Sequence, residues 1–95
     1  MAEKLSGKEV ASLMGAGPLA FQAGSVGVFK ADGSFDFQHR NSGEAGTFKV
    51  FSNGNVEIHD TATNKRIRFY FDRGADGVAL IYTSGPGKGK RYPLK

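Results

Sequence analysis

Leu5-Ser6-Gly7-Lys8-Glu9-Val10-Ala11-Ser12-Leu13-Met14-Gly15-Ala16-Gly17-Pro18 carries a change of period, and the fold class follows from it. Val10, Leu13 and Met14 stand three and four apart, the spacing of one helix face. Ser6 is placed to cap that helix, while Glu9, three residues on, reaches back to the Ser6 amide. Leu5 before the cap and Val10 inside it complete a hydrophobic staple. Gly15 and Gly17 end the helix, and Pro18, with no amide proton, prevents its resumption. A helix over residues 6–14 is expected. It is too short to stand alone in water, so its apolar face must dock on the rest of the chain.

Beyond Pro18 apolar and polar residues alternate with period two, broken by glycine-containing turns. The stretch Leu19–Ala23 is ambiguous. Val26 and Val28 alternate with Gly27 and Phe29, and either face suits an interior. Ala31-Asp32-Gly33-Ser34 reads as a turn, after which Phe35, Phe37 and His39 share one side. Asn41-Ser42-Gly43 breaks the run. Phe48 and Val50 oppose Thr47 and Lys49, and Ser52-Asn53-Gly54-Asn55 is a hairpin signal. Val56 and Ile58 face in, Glu57 and His59 out. Ile67, Phe69 and Phe71 form the cleanest inward row, with Arg66, Arg68 and Tyr70 opposite. Val78–Tyr82 is apolar on both faces, which suggests a strand covered on both sides, with the helix as the second cover. Arg91–Leu94 closes the sheet as a short edge.

The expected fold is all-β: a small antiparallel up-and-down meander of seven or eight strands, closed into a barrel that removes its edges, with one short N-terminal α-helix. The 95 residues form a single domain, helix at 6–14 and meander at 19–94. No run approaches the ~20 apolar residues that span a bilayer as a helix. Without Cys there is no disulfide, no thiolate metal site and no cysteine nucleophile. The net charge of +4 is uneven, because residues 47–95 carry nine Lys and Arg against four acids. Such a half attracts anionic partners or simply faces water.

Candidate sites are few. His39 and His59 lack the further ligands that a metal site needs, so no metal is expected. Gly85-Pro86-Gly87-Lys88-Gly89-Lys90 imitates a phosphate loop but has the wrong spacing and no following helix, so it reads as a basic turn. Ser, His and Asp are present, yet no local signature gathers them; no catalytic residue, cofactor or enzyme activity is expected. Arg66, Arg68 and Tyr70 share a strand face with Lys49 and His59 nearby, a pattern by which sheets hold anions or single-stranded nucleic acid. Phe29, Phe35, Phe37, Phe48, Phe69 and Phe71 point inward and line either a packed interior or the cavity of a carrier for a small apolar ligand. A chain of this length favours the packed interior.

The motifs together resemble a family of small exported proteobacterial proteins. That family opens with a Leu-Ser/Thr-Gly-x-Glu helix, matched by Leu5-Ser6-Gly7-Lys8-Glu9, and continues with a Phe-x-x-Asp-Gly hairpin, matched by Phe29-Lys30-Ala31-Asp32-Gly33. Gly46-Thr47-Phe48-Lys49-Val50, Gly54 and Arg91-Tyr92 stand where the family has its Gly-Thr-Trp-x-Val strand, turn glycine and closing segment. Phe48 replaces the usual Trp, and the common Cys pair is missing. The resemblance implies a lipocalin-like barrel in a periplasmic or secreted protein whose leader is removed, and Ala2-Glu3 after Met1 suits such a processed start. The functional expectation is a non-enzymatic binding or accessory protein acting through the basic strand face. Apolar-ligand carriage is the alternative, and single-stranded nucleic-acid binding the next.

Overall fold

The alternating half of the chain pairs into one antiparallel sheet in a computed structural model that describes residues 3–95. Met1 and Ala2, on which the expectation of a processed start was placed, lie outside the described residues. The elements are β1 (Glu3–Lys4), α1 (Gly7–Gly15), β2 (Leu19–Ala20), β3 (Val26–Phe29), β4 (Ser34–Gln38), β5 (Gly43–Val50), β6 (Val56–Asp60), β7 (Lys65–Gly74), β8 (Gly77–Tyr82) and β9 (Arg91–Pro93). From β2 to β9 each strand pairs with the next, which is the expected up-and-down meander with eight strands on its path. The sheet curls until its ends touch. Phe21 bridges Leu94, the Gln22 amide donates to the Pro93 carbonyl at 2.9 Å, and the Lys95 amide donates to the Ala20 carbonyl at 2.9 Å.

One strand was not legible. β1 is two residues long, too short to show a period, and lies along β7 beyond the end of β6, with Lys4 opposite Asp72. The Leu5 amide then donates to the Phe71 carbonyl at 2.9 Å. This contact carries the chain straight into the helix. The Ser6 hydroxyl accepts from the Glu9 amide at 3.2 Å and the Glu9 carboxylate accepts from the Ser6 amide at 3.0 Å, so the capping box forms as read.

The hairpins alternate between the two ends of the barrel. β3–β4, β5–β6 and β7–β8 turn at the end that α1 covers; Gly7 donates to the Ser52 carbonyl at 3.2 Å and Arg73 meets Glu9 at 3.5 Å. Leu5, Val10 and Met14 are buried there against the sheet. Above them the interior is packed with rings. Phe29 meets Phe48 edge-on at 5.2 Å, and Phe69 meets Phe71 at 5.7 Å with planes at 90°. The open choice on β3 resolves with Gly27 and Phe29 inside and Val26 exposed, since any side chain at Gly27 would crowd the Phe37 ring.

The reading of β8 needs a correction. Ala79 on its outer face is fully buried, but the cover is Arg91, not the helix. Arg91 stands opposite Ile81 on β9, and its guanidinium crosses β8 to the carboxylates of Asp72 and Asp76. Asp76 lies 2.5 Å away. This arch of charge crosses an apolar strand, its guanidinium held between two carboxylates.

Candidate functional site

The basic face assembles, but around an acid. Register places Lys49 opposite Glu57, Glu57 opposite Arg68 and His59 opposite Arg66 on β5, β6 and β7. Arg66 donates to Oε1 of Glu57 and Arg68 to its Oε2, each at 3.1 Å. Hydrogen bonding from Arg66 leads the interactions that hold the Glu57 carboxyl below its usual range. Both arginines thus spend charge on one carboxylate, at a site that water screens. Tyr70 is half-buried, with the Lys4 ammonium 5.3 Å from its ring centre, and His59 is within 2.7 Å of Asn64 Oδ1. Phe51, which the sequence reading passed over, is exposed beneath Lys49 at 5.5 Å.

Five of the six inward phenylalanines, Phe29, Phe35, Phe37, Phe69 and Phe71, are buried, and Phe48 is half-buried. They fill the helix end and the middle of the barrel. Of the six, Phe37 borders open space.

That space lies at the other end, where β4–β5, β6–β7 and β8–β9 turn. A cavity of about 480 Å³ is bounded by inward residues at the strand ends (His39, Glu44, Asp60, Ile67, Tyr82 and Tyr92), by Thr63, Lys65 and Arg66 of the β6–β7 hairpin, and by the 84–87 loop. Beneath it a second space of about 90 Å³ is lined by Phe21, Ser25, Phe37, Leu80 and the same His39, Tyr82 and Tyr92. The three shared side chains form a neck between the two. Period two explains their placement: His39 continues the row of Phe35 and Phe37, and Tyr82 continues that of Leu80. The interior therefore changes from apolar to polar as each strand reaches the mouth.

The neck is hydrogen-bonded. The His39 ring stacks on Phe37 at 4.8 Å; its Nε2 lies 2.9 Å from a Glu44 carboxylate oxygen and its Nδ1 3.0 Å from the Ser25 hydroxyl. A carboxylate can only accept, so Nε2 carries a proton and donates. Tyr82 and Tyr92 meet edge-on at 5.6 Å. Burial, with a smaller push from the Glu44 charge, drives the Tyr82 phenol up to about 12, so it stays protonated and able to donate. Asp60, 7% exposed, turns one oxygen to the Ala62 amide at 2.9 Å. Among the described residues no three His, Cys, Asp or Glu side chains gather as a metal site.

No protein-family model, curated protein or solved structure matches this chain. The geometry must therefore speak for the site.

The sequence reading missed Ser25, Glu44, Tyr82 and Tyr92. His39 was placed correctly on the inward parity, and Glu44 shares that parity with Phe48 and Val50. The signal available was the appearance of polar residues at the ends of inward rows. Ser25 had none, since it stands in the loop after the ambiguous stretch.

Proposed function

We propose that this protein binds a small, largely apolar molecule in the mouth of its barrel. The observation that carries this reading is a pair of adjoining spaces, about 480 and 90 Å³, that share His39, Tyr82 and Tyr92 as lining. The larger space falls within the size range of small-molecule sites, and apolar and aromatic walls with a few convergent polar groups are the usual lining. The packed phenylalanines below supply a rigid floor, so the site exists before a ligand arrives. In this reading the ligand sits above the phenylalanine cluster rather than inside it.

The basic face is the weaker reading, because Glu57 already occupies both Arg66 and Arg68. What favours it is the lysine poised over each of two aromatic rings, Tyr70 and Phe51.

Native mass spectrometry of protein purified gently from its own source tests the mouth. A stoichiometric small-molecule adduct, lost in Tyr92→Ala while the variant keeps its circular dichroism spectrum, is the expected result. An adduct that Tyr92→Ala retains at full occupancy places the ligand elsewhere and defeats the reading.

A further inference from the structure

Ser25, His39 and Glu44 come from three different segments, the loop before β3, the residue following β4 and the start of β5. The fold brings them into one chain of hydrogen bonds: Ser25 Oγ to His39 Nδ1 at 3.0 Å, and His39 Nε2 to Glu44 at 2.9 Å. We propose that this constellation is a nucleophile, base and orienting acid, and that the mouth hydrolyses esters of short-chain acids.

A hydroxyl is a weak nucleophile until a base within hydrogen-bond reach takes its proton, and the base works best when a third group fixes its tautomer. Glu44 does that here. By holding the proton on Nε2 it leaves the Nδ1 lone pair facing the Ser25 hydroxyl. The two ring nitrogens exchange the parts they play in the familiar serine triad, but the roles are the same, and a triad is recognised by geometry and roles. The Phe37 ring stacked on the imidazole holds its plane. Of the pair, His39 is 29% and Glu44 27% exposed, which withdraws both from much of the competing water.

Surroundings complete the requirement. Ser25 lines the 90 Å³ space whose apolar walls are Phe21, Phe37 and Leu80. At about 30 Å³ for each water-sized group, it holds three or so heavy atoms of an acyl chain. The larger mouth takes the alcohol part. Among the described residues neither the Tyr82 nor the Tyr92 hydroxyl has a protein partner, and both rings border the same small space as Ser25, so they are free to donate to a developing oxyanion.

The step balances with water alone. Ser25 Oγ attacks the carbonyl carbon as its proton passes to His39 Nδ1, and the carbonyl electrons move to oxygen. Collapse of that oxyanion breaks the ester C–O bond, and the leaving alkoxide takes the proton from Nδ1. Water then attacks the acyl-Ser25 ester, giving its proton to Nδ1; collapse returns that proton to Ser25 Oγ and releases the acid. Ser25 and His39 are catalytic residues, and Glu44 is a positioning residue.

This proposal rests on the mouth being a ligand site, and the experiment separates the two. Wild type and Ser25→Ala are given p-nitrophenyl butyrate and, separately, a butyl-chain fluorophosphonate followed by intact-mass and peptide analysis. Expected are hydrolysis at least about a hundredfold above Ser25→Ala and one phosphonyl adduct per chain, on Ser25. Glu44→Gln should lower kcat with little change in KM, and Glu44→Asp should restore part of it; a merely structural role would move both constants or neither. Butyrate shifting the mouth amides in NMR spectra of both proteins, without hydrolysis or adduct, overturns the catalytic proposal and leaves the binding reading standing. Absence of binding, hydrolysis and adduct overturns both.

Discussion

At the scale of single residues, backbone approach limits what the sequence can vary. Gly54 has φ +93° and packs against the Leu5 carbonyl, so a Cβ there meets both a disfavoured backbone conformation and a backbone atom that cannot yield. Gly46, on β5, faces the His59 carbonyl in the same way but without a positive φ. Gly33 has φ +89° and open space around it. The three separate strain from collision. Gly33→Ala should cost about 1 kcal/mol, and Gly54→Ala roughly 2–4 kcal/mol, because overpacking adds to strain. Urea unfolding midpoints decide the order; equal losses at Gly33 and Gly54 would mean that the hairpin retreats from Leu5 freely. Glycine enrichment was visible in the composition, but which glycines are caught against a carbonyl depends on partners far along the chain.

At the scale of elements, the helix and hairpins were legible because their signals are local. Ser6 with Glu9, Asp32-Gly33 and Asn53-Gly54 carry their own hydrogen bonds and backbone angles, and each forms where it was read. β8 shows the opposite case. Two apolar faces say that both are covered, and nothing within Val78–Tyr82 says by what. The cover comes from Arg91 on β9, through ion pairs with Asp72 and Asp76. Hydrogen bonding from Arg91 is also the main cause that holds the Asp76 carboxyl below its usual range. Asp72 is 7% exposed, so Arg91→Met leaves a nearly buried carboxylate without its cation. That variant should lose about 1–3 kcal/mol at neutral pH, and adding Asp72→Asn should recover part of it. A double mutant no more stable than Arg91→Met would show that packing over Ala79, not charge, is what Arg91 supplies.

For the whole molecule, the meander was legible because parity alone sets inside and outside, and short turns leave little choice of neighbours. The mouth was less so. Inward rows were read as one apolar lining, and the polar residues that end them, His39, Glu44, Asp60 and Tyr82, gain meaning only when the strands stand side by side. Hydrogen-bonded and ion-paired carboxylates on the outer surface give the molecule a definite response to acid. Glu9 is held below its usual range chiefly by the Ser6 amide, Asp32 by the Ser34 hydroxyl, Glu57 by Arg66 and Asp76 by Arg91. Between the folded and unfolded pKa values the unfolded chain binds more protons, so stability rises with pH. Full stability is therefore expected above the ordinary values, 4.5 for Glu and 3.8 for Asp. It should decline as pH falls through them toward the lower folded ones. Thermal unfolding from pH 7 to pH 2 checks this, and a midpoint flat below pH 4.5 would contradict it.

The chain holds three tyrosines and no tryptophan. Tyr82 and Tyr92, crossed edge-on at the neck, are two of the three, and the third lies under Lys4 on the outer wall. Two of the three strongest ultraviolet emitters in the unlabelled protein therefore line the mouth. A ligand bound at that neck, as proposed, is expected to change the light the protein gives off, so occupancy would be followed in real time without a dye, a tag or a substitution.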